Sequence, residues 1–273
     1  MASATPPCKK LRILLIPFFA TSHIGPFTDL AFHLATARPG AVEVTVAVTP
    51  ANTSVVRSVL ARHGPSHATV EVATYPFPAV DGLPPGVENL STVQAADAWR
   101  IDAVAVDEKL MRPGQESLVR ERSPDAVITD MHFFWNADVA ADLGVPCVTF
   151  HAIGAFSVLA MWQLLLTGVA ANATAGEVVT VPQFPGPAIS LPVTELPEFI
   201  RRQHMLDRTK GEKTVSAQNR CLGLAVNTFF DLEHGYCEMY VRNGYMKRAY
   251  FVEPLLLPLP QARDNFNGSG CIN

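Results

Sequence analysis

Cysteine is sparse in this chain and does not pair by spacing: Cys8, Cys147, Cys221, Cys237 and Cys271 are odd in number and include no C-x-x-C. Such usage indicates neither a disulfide framework nor a zinc site, and it fits a reducing compartment. Excess positive charge is missing too. A net charge of -4 without a long run of like charges leaves no basic footprint for nucleic acid and no charged tail. A secretory leader is not indicated, because the N-terminal lysines precede an apolar run of only about six residues, closed by Pro17. The chain therefore reads as cytoplasmic, and the sequons at Asn52, Asn89, Asn172 and Asn267 carry no glycan. One uncharged stretch, Ala152 to Ala173, approaches membrane-spanning length. Gln163, Thr167, Asn172, Gly154 and Gly168 interrupt it and no Lys/Arg cluster flanks it, so a buried helix is expected rather than an integral membrane span.

Several motifs are absent as well. There is no G-x-G-x-x-G after the first strand, no G-x-x-x-x-G-K-[ST] and no G-x-S-x-G. Dinucleotide, P-loop and α/β-hydrolase chemistry lose their main support, and no cofactor is expected. His63 and His67 have i, i+4 spacing, but Gly64 and Pro65 break the helix that would aim both at one metal, so a solvated loop is expected there.

What is present is a large apolar fraction, 48% of 273 residues, enough for a full core in one large domain or two small ones. The chain is organised around Leu11 to Ala37. Ile13 to Ile16 form an unbroken apolar run ended by Pro17, the pattern of a strand covered on both faces of a parallel sheet. Pro26 suits a first helical turn, and Phe27, Leu30, Ala31, Leu34 and Ala35 follow with helical spacing. His23 falls in the intervening loop, at the carboxyl edge of the sheet where open α/β folds place ligands.

Strands are expected near residues 12–17, 42–48, 70–74, 126–130 and 146–151, alternating with helices near 51–62, 92–111, 115–122 and 135–143. The alternation predicts a Rossmann-like parallel sheet with helices on both faces, and right-handed crossovers give the strand order 3-2-1-4-5. First and fourth strands are then neighbours at the switch point. Asp130, which closes the fourth, would face His23 across one crevice as base and orienting carboxylate, or would merely cap the next helix. Tyr75 to Gly86 reads as an ordered loop and Val181 to Pro197 as an irregular Pro-rich excursion. A helix near 209–220, a strand 222–227, a helix 231–243 and a strand 249–252 extend the same sheet. From Glu253 the chain turns Pro-rich and then polar.

Four stretches carry a family resemblance. IPFFATSHIGPFTDLA closely resembles the opening of plant family 1 UDP-glycosyltransferases, and PDAVITDMHFFWNADVAADLGVPCVTFHA resembles the segment carrying that family's acidic partner. CLGLAVNTFFDLEHGYCEMY and AYFVEPLLLP resemble its N-[ST]-F-x-x-L-E segment and the approach to its interdomain linker. Together they span nearly the whole chain in the family's order.

The resemblance implies the N-terminal half of a GT-B fold: residues 1–252 as a Rossmann-like acceptor-binding domain and 253–273 as interdomain linker. It implies an inverting transfer of a sugar from a UDP-sugar co-substrate to a hydroxyl of a small hydrophobic plant metabolite. His23 would be the base and Asp130 its charge partner, with Phe19, Ser22, Trp135, Phe150 and His151 at the acceptor site. Two positions depart from the family pattern, Ser22 and Glu253, each where glycine is usual. The family's C-terminal signature, which binds the UDP-sugar, does not occur in these residues. The chain is therefore expected to act as an acceptor half, inactive until a C-terminal domain is supplied. The alternative is a non-catalytic small-molecule-binding module or an inert truncated product.

Overall fold

The computed structural model describes residues 9–64, 70–171, 173–201, 208–242, 248–252 and 255. Nine strands appear among them: β1 Leu11–Ile16, β2 Val42–Val48, β3 Val70–Thr74, β4 Ala126–Asp130, β5 Cys147–His151, β6 Val178–Thr180, β7 Ser190–Pro192, β8 Gly223–Asn227 and β9 Ala249–Val252. Seven of them form one parallel sheet in the order β3-β2-β1-β4-β5-β8-β9. The expected 3-2-1-4-5 core is present, and the C-terminal units lengthen the same sheet.

Alternation along β1 divides the core. Ile13 and Leu15 face a cluster with Ile24, Phe27 and Ala31 of α1 (Thr21–Ala37) and Val56 of α2 (Thr53–Arg62). Leu14 and Ile16 face the opposite layer, built from α3 (Ala98–Ala105), α4 (Glu108–Arg122) and α5 (Asn136–Asp142), with Ile101, Met111, Val119 and Val139. Burying both faces of a central parallel strand is what its unbroken apolar run requires.

The uncharged stretch is α6 (Ala155–Thr167), and no helix among the described residues is long and apolar enough to cross a membrane. Glu233 lies outside that helix, yet its carboxylate accepts the Ala155 N–H at 2.7 Å and the Phe156 N–H at 3.2 Å. A negative group satisfying free first-turn donors at the positive end of a helix is a cap supplied from a distant chain segment. Gly154 leaves room for the approach: a Cβ there would stand 2.8 Å from Glu233 Oε2 and push the carboxylate from its present position. Glu233→Ala is expected to lower stability by roughly 1–2 kcal/mol, and Glu233→Gln by less, in urea denaturation followed by circular dichroism. Equal midpoints for Glu233→Ala and the parent would refute the cap.

Several expectations are corrected. Helix α1 begins at Thr21, so His23 lies in its first turn rather than in a loop, and Pro26 is inside the helix. The carbonyl that Pro26 leaves without a helical N–H partner is that of Ser22, an exposed residue at the start of the helix. The helix expected over 92–111 breaks before Asp107, whose side chain accepts from Lys109 N–H and Leu110 N–H and starts a new helix, α4, that continues through Pro113. The Pro-rich excursion is not wholly irregular. β6 and β7 pair as an antiparallel ribbon, and Val179, Val181, Val193 and Leu196 pack on Leu164 of α6.

His63 is not a free loop residue: it is partly buried, its Nε2 lies 2.6 Å from buried Asp29, and its ring stacks on Phe32. His67 lies outside the described residues, as does the expected linker 253–273 apart from Leu255. Two of the sequon asparagines are inward-facing. Asn52 and Asn89 are buried and bonded to each other at 2.7 Å.

Candidate active site

β1 and β4 are paired in parallel, Ile16 opposite Thr129, so both chains leave the sheet side by side at their carboxyl ends. From β1 the chain turns through Phe18 and Phe19 into α1, anchored by Leu90 N–H donating to the Phe19 carbonyl at 2.7 Å and Thr21 N–H to Ser91 Oγ at 3.0 Å. From β4 it turns at Asp130 toward α5. The two turns bring His23 and Asp130 together across 107 residues, with His23 Nδ1 at 2.8 Å from Asp130 Oδ2.

Asp130 is 1% exposed and holds four donors. Oδ2 accepts from His23 Nδ1 and, at 3.3 Å, from Phe18 N–H. Oδ1 accepts from His132 N–H at 3.2 Å and from His132 Nδ1 at 2.6 Å. The carboxylate thus both caps the turn after β4 and orients His23, two roles that looked exclusive in sequence. Burial opposes its charge, but the two imidazoles beside it and their hydrogen bonds outweigh that, and the carboxyl is held well below the usual carboxylate range.

An ionised carboxylate only accepts, so both Nδ1 atoms carry protons. The in-plane lone pair of His23 then stands on Nε2. Burial pushes the His23 pKa down, while the charge of Asp130 and its hydrogen bond push it up by more, and the net direction is up. A side chain that is 19% exposed, fixed in one tautomer and favoured to take a proton, can act as a general base toward a group that reaches it from solvent.

His132 is the residue that reading the sequence missed. Its ring stacks on Phe18 with centroids 4.3 Å apart and stands edge-on to His23 at 5.4 Å. The available signal was its spacing, two residues past the strand-closing aspartate, where a turn folds a side chain back onto the carboxylate.

The other expected site residues separate. Ser22 is exposed on the first turn of α1, one residue before His23. Phe19, Trp135 and Phe150 are core residues at 1%, 0% and 0% exposure. Their apolar area is taken up by neighbours: Phe150 packs on Phe27 with centroids 4.8 Å apart, and the Trp135 indole N–H donates to Gln115 at 2.8 Å. His151, at the end of β5, is 2% exposed, with Nε2 3.4 Å from Gln218 Nε2 and, among the described residues, no partner on Nδ1. Burial pushes its pKa down to about 4, so it stays uncharged. A surface concavity of about 260 Å³, lined by Val80, Asp81, Trp99, Arg100, Asp107 and Leu110 among others, includes none of the site residues.

No protein-family model matches the chain. It is 30% identical over 263 residues to the UDP-glycosyltransferase 73D1 of Arabidopsis thaliana, a match covering 95% of this chain and 50% of the relative. It is 29% identical over 258 residues to a scopoletin glucosyltransferase of Nicotiana tabacum, covering 90% and 51%. An anthocyanin 3'-O-beta-glucosyltransferase of Gentiana triflora matches at 28% over 252 residues, covering 91% and 51%.

Among solved structures, UGT73P12 of Glycyrrhiza uralensis, complexed with glycyrrhetinic acid 3-O-monoglucuronide, superposes with a TM-score of 0.71 at 24% identity, over 90% of this chain and 49% of that one. UGT89C1 of Arabidopsis thaliana complexed with quercetin gives 0.61 at 25% identity, over 93% and 52%. The chain thus spans about half the length of the relatives it matches.

Proposed function

The chain is a relative of the N-terminal half of plant family 1 UDP-glycosyltransferases, and from that premise we propose that it is the acceptor-binding half of an inverting glycosyltransferase. The observation that carries the reading is the 2.8 Å pair of His23 with buried Asp130 at the carboxyl ends of adjacent strands. His23 Nε2 takes the proton of an acceptor hydroxyl, whose oxygen attacks the anomeric carbon of the UDP-sugar as the bond to UDP breaks. The new glycosidic bond has inverted configuration, and UDP leaves with the bonding electron pair. Asp130 stabilises the imidazolium that results. Residues 1–252 form the acceptor domain on this reading, 253–273 lead toward the donor-binding domain, and the protein works in the cytoplasm without a resident cofactor.

The acceptor is a hydroxyl on a small, largely apolar plant metabolite. The scopoletin, anthocyanin and nuatigenin glucosyltransferases among the relatives support that class. Ser22 stands beside the base on the rim, and Phe19, Trp135, Phe150 and His151 shape the site from beneath by holding the two turns in place.

A polypeptide of these 273 residues alone is expected to give no detectable transfer from UDP-glucose to a panel of phenols, because bringing donor and acceptor together supplies much of the barrier reduction. Fused to the C-terminal half of a relative, it is expected to turn over. Transfer by the 273 residues alone, or none by a soluble, folded fusion that binds UDP, would overturn the reading.

A further inference from the structure

From His23, Asp130 and His132 we infer a binding site for a divalent zinc ion. The three residues offer one ligand atom each, two imidazole nitrogens and a carboxylate oxygen, all within 4.8 Å of one another. Two imidazoles with a carboxylate, leaving further positions to water, are a donor set that zinc accepts readily. His132 is 30% and His23 19% exposed at the side chain, whereas Asp130 is 1% exposed, so the carboxylate forms the floor and the two rings form an opening to solvent. Phe18 braces both rings, stacked on His132 at 4.3 Å and edge-on to His23 at 5.1 Å. Each Nδ1 already lies within 2.8 Å of the carboxylate, so a zinc ion with imidazole bonds of roughly 2.0–2.1 Å would take the place of the two Nδ1 protons and spread the three ligands around itself.

The exchange balances. Each Nδ1 now carries a proton held by Asp130; on binding zinc, each neutral ring moves that proton to Nε2 through solvent, and the freed Nδ1 lone pair ligates the ion. No proton is lost overall from neutral rings, and an imidazolium releases one. With Nε2 protonated, His23 has no lone pair left for an acceptor hydroxyl. Zinc would therefore switch off the base; this consequence rests on the reading of His23 given above, whereas the binding itself does not.

The test is calorimetric titration of zinc chloride into the chelator-treated 273-residue chain carrying Cys8→Ser and Cys271→Ser, which removes two competing terminal thiols. One zinc per chain is expected, with His132→Phe and His23→Gln each weakening it at least about tenfold, the smaller end of what even an outer partner of a ligand is worth. Phe fills the space beside Phe18, and unchanged circular dichroism establishes that the variants fold. Histidine ¹⁵N spectra are expected to show both rings passing from the Nδ1–H to the Nε2–H form on zinc addition. Absence of saturable binding, or binding that survives both substitutions unweakened, would overturn the site; the second result would place the ion elsewhere, such as at Asp29 and His63.

Discussion

In a protein completed by a donor-binding domain, His23→Ala is expected to lower kcat by roughly two to four orders of magnitude, the scale of a positioned general base. The ring owes its readiness to Asp130, which fixes the Nδ1–H tautomer at 2.8 Å and stabilises the protonated form. Alanine removes the proton acceptor but little contact area, so KM is expected to change far less than kcat. Asp130→Asn should cost less, because a carboxamide oxygen can still accept from His23 although its charge is lost. Added imidazole is expected to restore part of the His23→Ala rate, which a purely structural role would not allow. If His23→Ala kept near-normal kcat between about pH 6 and 9, the base would have to be another group.

Trp135→Ala is expected to destabilise the fold by about 3–5 kcal/mol, the usual range for truncating a buried large aromatic. The indole is fully buried against Phe133 and Phe134, and its N–H donates to Gln115 Oε1. Gln115 in turn accepts from Asn136 Nδ2, which also donates to Thr129 Oγ1, so a buried polar network ties α4 to the turn after Asp130. Trp135→Phe keeps most of the apolar volume and loses only the N–H, and roughly 1–2 kcal/mol is expected. Urea denaturation of the three proteins checks the order. A Trp135→Ala variant as stable as the parent, but unable to bind acceptors once completed, would make the indole pocket lining and not core.

The central sheet was legible because its signal is local. Ile13 to Ile16, Val42 to Val48 and Ala126 to Asp130 are apolar or β-branched runs of strand length, and the handedness of crossovers restricts how such strands can be ordered. That ordering alone predicted the meeting of His23 and Asp130, since a carboxylate closing β4 and a histidine just past β1 must share the switch-point crevice. The family resemblance reached the same pair independently.

Contacts between segments far apart in sequence decided the rest. Whether α1 starts at Pro26 or at Thr21 depends on Ser91 and Leu90 holding the turn before it. The β6–β7 ribbon exists because α6 offers Leu164 as a surface to cover, which no period within 181–197 reveals. His63 finds Asp29 and Glu233 finds the end of α6, each through a turn direction or a helix crossing that leaves no trace in periodicity. Local sequence determined which segments are strands and which residues bear the chemistry. Only the packed structure decided which polar groups meet, because a buried donor or acceptor takes whatever partner the fold brings within reach.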